Sequence, residues 1–157
     1  MNLFGMMDIS GSALKAERVR AEVVASNMAN SETTRTPEGG PYRRHHVIFE
    51  SQDSNSFGAS LLGQSTSTAA PMPALMGTGG VAGGVAVTGV IEDASDPLRR
   101  YDPQHPDAGA DGFVSYPDIN PLTEMVDLMG ATRSYGMNAS AFQAEKNMVS
   151  SSLDLMK

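Results

Sequence analysis

Three clusters in this sequence of 157 residues carry side chains that could do chemistry. The first is TTRTPEGGPYRR, residues 33 to 44, where a Gly-Gly pair and three arginines suggest an anion site. A phosphate-gripping loop needs Gly-Lys-Ser/Thr running straight into a helix, so that backbone N–H groups and the lysine converge on the anion. Here Gly39-Gly40 runs into Pro41, which has no N–H, and then into a strand-like segment. The stretch therefore reads as a shaped turn, in which Pro37 and Pro41 fix φ and the glycines admit φ > 0. Arg35, Arg43 and Arg44 are then either solvated or paired with carboxylates of another chain.

The second cluster is the histidines. His45 and His46 are adjacent, so on a strand they point to opposite faces and cannot hold one metal together. His105 stands alone between prolines. All three fall short of the ligand number a metal site needs and read as structural or surface histidines.

The third is DAGADGFVSYPD, residues 107 to 118. Asp107, Asp111, Gly112, Val114 and Asp118 fall on positions 1, 5, 6, 8 and 12 of a calcium-binding EF-hand loop. Against calcium, Gly109 vacates position 3, position 12 is the shorter Asp, and Pro103 and Pro106 forbid a preceding helix. A tight Asp-Gly turn leading into a strand is the better reading. The sequence has no serine elbow, no HExxH and no cysteine, so the thiolate and Cys-metal chemistries are excluded. No catalytic residue, cofactor, metal or small-molecule substrate is expected.

The charge balance points the same way. Residues 1–50 hold six Lys/Arg and six Asp/Glu; the remaining 107 hold five and twelve, which supplies the whole net charge of −7. Phosphate-backbone binding needs a basic footprint, so no nucleic-acid partner is expected. The opening MNLFGMMDIS lacks a charged, apolar, small-residue leader pattern, so no cleaved signal is expected. No apolar run reaches the length of a membrane span. With no tryptophan and 6% aromatic residues, any core must be small.

These clusters must be positioned by long helices at the two ends. Asn120-Pro121 makes a cap and first turn, with Glu124 and Asp127 near the positive end of the helix dipole and Lys157 near the negative end. Alternate steps of three and four from Met125 reach Leu128, Thr132, Tyr135, Ala139, Phe142, Lys146, Val149, Leu153 and Met156; eight of these ten are apolar. That is a coiled-coil pattern on a helix of about 54 Å. At the other end, Met7, Leu14, Ala21 and Met28 recur every seven residues, with Phe4, Gly11 and Ala25 between them and Arg18 interrupting. Asn27, Asn30 and Ser31 stop this helix near Ala29 by competing for backbone hydrogen bonds.

Between the helices, residues 42–50, 84–93, 98–102 and 112–118 read as strands of one small sheet. Residues 51–84 are Ser/Gly/Ala/Pro-rich and nearly uncharged, and read as a flexible surface insertion. The expected fold class is α+β: an N-terminal helical arm (1–31), a small β-rich region (32–120) with an insert at about 51–83, and a C-terminal helical arm (121–157). Gly130 and Gly136 weaken the second arm, and its stripe is too lean to offset the ordering of so long a helix. Such arms become fixed when they meet partner helices, which describes an assembly subunit.

The segment DISGSALKAERVRAEVVASNMANSETTRTPEGGPYRR, with ASNMAN closing the first helix, resembles the bacterial flagellar axial proteins, the subunits of rod and hook. Its TTRTPEGGPYRR continuation resembles the proximal-rod members. YDPQHPDAGADGFVSYPDIN and EMVDLMGATRSYGMNASAFQAEKNM match as well, with Arg133, Tyr135, Asn138 and Lys146 at the family's places. The resemblance covers roughly residues 2–50 and 84–157. It implies a structural protein, exported through the flagellar type III apparatus without cleavage, that assembles in the periplasm into the rod between membrane ring and hook. It implies an inner coiled-coil layer of both terminal helices, with the β part outside. The implied partners are further copies, other rod proteins, and membrane-ring and export components.

On that reading, subunit contacts are expected at Met7, Leu14, Ala21, Asn27, Met28 and Asn30 of the first arm and at Arg35, Arg43 and Arg44 of the turn. Met125, Leu128, Arg133, Tyr135, Asn138, Phe142, Lys146, Val149 and Leu153 are expected to serve in the second arm. The competing readings are a distal-rod or hook subunit, a soluble helical adaptor or secreted effector that dimerises through its arms, and a calcium-dependent enzyme or binder built on 107–118.

Overall fold

The computed structural model describes residues 3–52 and 83–155. Along the chain it forms α1 (Leu3–Ala29), β1 (His45–Gln52), β2 (Gly84–Glu92), β3 (Leu98–Tyr101), β4 (Phe113–Tyr116) and α2 (Pro121–Asp154). Met156 and Lys157, and residues 53–82 of the expected insert, lie outside the described residues.

Each helix boundary has a local cause. Asn120 takes an extended conformation and its Oδ1 accepts the Leu122 N–H at 3.0 Å, while Pro121 supplies a preset first turn. At the end of α1, Asn30 Nδ2 donates to Ser26 C=O at 2.9 Å and Ser31 Oγ donates to Met28 C=O at 2.9 Å. Those side chains occupy carbonyls that a continuing helix would need. Asn27 does not take part in this, contrary to the sequence expectation; its amide points elsewhere, as described below.

The helices pack antiparallel. Asn27 of α1 meets Glu124 of α2, Arg20 meets Asp127, and Ser10 meets Glu145. The seam is rotated from the expected stripe. It keeps Leu128, Phe142 and Val149, all half-buried, but buries Glu124, Ala131 and Glu145 where Met125, Thr132 and Lys146 were expected. Each buried residue sits one position earlier, a turn of about 100° on the helix. Small residues lie in the buried set, Ala16 and Ala131 at 3% and 1% exposed, while Met125 and Tyr135 remain 50% and 44% exposed. On α1, Met7, Leu14, Ala21 and Met28 are each half-buried, because this helix is covered by α2 on one side and by the first sheet on another.

The strands form two separate antiparallel pairs, β1–β2 and β3–β4, rather than the single small sheet expected. In the first pair His45 opposes Glu92 and Gln52 opposes Gly84, with a bulge that leaves Thr88 as the extra residue. This pair lies against α1: the Ser12 hydroxyl donates to Ile9 C=O and accepts the Val85 N–H at 3.0 Å. The second pair is shorter, with four residues in each strand. Buried apolar side chains are few, among them Ala16, Val24, Val114, Ile119 and Ala131.

Candidate functional site

The end of α1, the start of β1 and the first turn of α2 converge on Asn27, which is 1% exposed. Its Oδ1 accepts the His45 N–H at 2.9 Å and the Tyr42 hydroxyl at 3.2 Å. Its Nδ2 donates to His45 C=O at 2.9 Å and to Glu124 Oε2 at 3.3 Å. Two donors and two acceptors are the full capacity of an amide side chain, so Asn27 is completely satisfied in its buried place. The Tyr42 hydroxyl also lies 2.7 Å from His45 Nδ1, extending the network to the turn.

Glu124, likewise 1% exposed, is neutralised by Arg44, whose Nη2 lies 2.6 Å from Oε1. Arg44 also approaches Asp127 at 3.7 Å, and Arg20 reaches the other oxygen of Asp127 at 3.9 Å. A buried carboxylate is tolerable only when paired and hydrogen-bonded, and both oxygens of Glu124 are. Of the turn's arginines, Arg44 is the one that departs from the expectation of a solvated or intersubunit role. Arg44 serves its own chain; Arg35 stays exposed and pairs with Asp107 at 3.7 Å beside the Thr34 hydroxyl at 2.8 Å. Arg43 is exposed.

The turn itself has the shape read from its sequence. Gly39 and Gly40 both take φ 90°, and Thr36 N–H donates to Gly40 C=O at 2.8 Å. His45 and His46 do part company, His45 toward Glu92 at 3.7 Å and His46 toward Asp93 at 3.4 Å. Asp93 is held below the ordinary aspartate range, first by the Ser95 hydrogen bonds and then by His46. Among the described residues, no three His, Asp or Glu side chains come together as a metal site. In the acidic turn, Asp107 is occupied by Thr34 and Arg35, and Gly112 at φ 73° leads into β4.

The remaining candidates lie along the arm. Asn30 closes α1, and Asn138 donates to Ser134 C=O at 3.0 Å. Met125, Arg133, Tyr135, Lys146 and Leu153 are exposed on α2. Leu122, Val126, Met129 and Met137 are exposed as well, at spacings of four, three and eight that put them on one helix face. These four side chains make the exposed apolar face of α2.

Comparison with known proteins now bears on what that surface is for. A family model described as "Flagella basal body rod protein" matches residues 7–35, and one described as "Flagellar basal body rod FlgEFG protein C-terminal" matches residues 110–155. The chain is 42% identical to the flagellar basal-body rod protein FlgC of Bacillus subtilis, over 100% of both chains. The chain belongs to the FlgC family. It is 33% identical to the FlgC of Borreliella burgdorferi, over 100% of this chain and 99% of that one. To the FlgC of Salmonella typhimurium it is 36% identical, over 99% and 98%. The match to the Bacillus protein runs from end to end, so residues 51–83 fall within its span, beyond the two blocks in which the sequence reading placed the resemblance. A FlgC-family chain is a structural rod protein of the flagellar basal body, which answers the question its two helical ends pose.

Four residues of the junction are absent from the sequence reading as site residues: Arg20, Tyr42, Glu124 and Asp127. Glu124 is legible only as a helix-dipole residue, because the contact that defines its role spans 97 positions. Nothing within a single sequence links positions 27, 44 and 124.

Proposed function

We propose that this chain is a subunit of the proximal rod that polymerises through its terminal helices into the tube carrying torque from the membrane ring to the distal rod and hook. The two helices form the inner layer and the β-rich part lies outside, following the three-part division 1–31, 32–120 and 121–157. The chain is exported without a cleaved signal and assembles in the periplasm with further copies, other rod proteins, the membrane ring and the export apparatus. It is a building part and not a catalyst.

The observation that carries this reading is the apolar face of α2 left uncovered by α1. Leu122, Val126, Met129 and Met137 are each at least 60% exposed. Burying such side chains is worth about 1.5–3 kcal/mol each, so a neighbouring helix gains substantially by covering them. The alternatives in which the arms satisfy each other inside one dimer leave the end-to-end match to rod proteins without a reason.

Met129→Glu with Met137→Glu is the test. Both residues are exposed, so the isolated chain keeps its fold, and export continues. Isolated basal bodies are expected to lack the protein and the cells to be non-motile. Normal rods containing the double variant would sink the reading.

A further inference from the structure

The seam between α1 and α2 contains two buried carboxylates, and the chain treats them differently. Glu124 has Arg44 on one oxygen and Asn27 on the other. Glu145, 7% exposed, has only the Ser10 hydroxyl on Oε1 at 3.1 Å; its Oε2 is buried with no hydrogen-bond partner. Among the described residues no cation lies within ion-pair distance of it. A buried carboxylate oxygen without a donor forfeits hydration and gets nothing in return. Meanwhile α2 presents two cations on its exposed surface, Arg133 and Lys146, that pair with no acid among the described residues. Acceptor and donors are thus complementary and unused on one helix.

We propose that Glu145 is the acceptor for a cationic side chain of a second copy of this chain, delivered by Arg133 or Lys146 of that copy when α2 helices come together. This rests on the assembly reading above and names a chemical contact within it. Glu145 swings to another rotamer, trades its single Ser10 bond for a charge-assisted pair, and thereby links completion of the seam to arrival of a neighbour. In the lone chain the same residue weakens the end of the arm remote from the Asn27 junction.

Three single variants and one double test it, with melting of the purified chain and its content in isolated basal bodies as the two readings. Glu145→Gln keeps a partner for Ser10 and removes the charge. It is expected to melt no lower than the parent chain and to be incorporated at least tenfold less, as when one partner of a desolvated charge pair is lost. Arg133→Glu and Lys146→Glu are surface changes that leave melting alone, and one of them is expected to show the same loss. Adding Glu145→Arg to that one restores incorporation. Full incorporation of Glu145→Gln, or a lowered melting point, overturns the proposal, as does failure of both surface variants to reduce assembly. Should Met129→Glu/Met137→Glu also assemble normally, the assembly reading itself has failed.

Discussion

The side-chain amide of Asn27 holds both the N–H and the C=O of His45, each at 2.9 Å, so that one residue of α1 stands in for a neighbouring strand along the edge of β1. The direction in which the chain leaves the helical arm is set here. A backbone edge satisfied by an amide has no unpaired groups to offer elsewhere.

Asn27→Ala strands the backbone groups of His45 and one oxygen of Glu124. It is expected to cost about 2–4 kcal/mol in urea unfolding: a fully buried unpaired group costs about 1–3, and the two His45 groups are only part-buried, so water recovers much of theirs. Asn27→Asp, nearly the same shape, keeps the acceptor but turns a donor toward His45 C=O into a second acceptor beside Glu124. It is expected to be at least as damaging. Recovery of stability by Asp would mean that shape alone matters at this position.

Arg44 and Glu124 are unequal partners. Arg44→Met leaves a carboxylate that is 1% exposed without its cation and is expected to cost about 3–5 kcal/mol. Glu124→Gln keeps an acceptor for Asn27 and leaves Arg44 with Asp127 and solvent, for about 1 kcal/mol. The double variant is expected to be more stable than the sum of the singles predicts, measured as a coupling energy by a double-mutant cycle. Strict additivity would rule out the pair as a unit.

Two glycines with positive φ separate two kinds of strain. A Cβ at Gly39 meets nothing within 4 Å, whereas at Gly112 it lies 2.8 Å from Cε2 of Tyr101. Gly39→Ala is expected to cost about 1–2 kcal/mol from backbone conformation alone. Gly112→Ala is expected to cost more, and the difference to shrink when Tyr101→Ser removes the ring. Thermal melts of the four variants decide.

The Asp93 carboxyl is held below its ordinary value, so the folded state binds its proton less readily than the unfolded chain does. Its contribution to stability is present above the unfolded aspartate value and is lost as the pH falls through the lower, folded value. NMR titration is expected to place Asp93 below the ordinary aspartate value. Replacing Ser95 by Gly or Ala removes its hydroxyl bond, the largest cause, and should move it up further than His46→Ala does, while the backbone N–H bond survives in each.

Local chemistry made the helices, their caps, the Gly39-Gly40 turn and the positions of four strands legible in the sequence. Asn120-Pro121 and Asn30-Ser31 act within a few residues of themselves, and alternation is likewise a short-range signal. Pairing was not legible. Whether the strands share one sheet, and whether Arg44 faces its own Glu124 or another subunit, depends on contacts between remote segments. The stripe of α2 was read with the right period and the wrong rotation. Met125 and Tyr135 are more apolar than Glu124 and Ser134, so hydrophobicity alone favoured them, while the alanine-lined seam selected for size and for polar groups that Ser10 and Asn27 could satisfy. Other large side chains outside the seam, Leu122, Val126, Met129 and Met137, form the outward surface on which assembly is proposed to rest.

Gln52 and Gly84 face each other as the last pair of β1–β2, and Gly83 N–H donates to Gln52 C=O at 2.9 Å. Whatever is spliced between them departs and returns through one doorway in the architecture. Doubling the length of such an excursion costs only about 0.6 kcal/mol in closure entropy. Evolution, or an engineer with an epitope tag, can therefore rewrite that stretch while the register of the hairpin and the grip of α1 on it stay untouched.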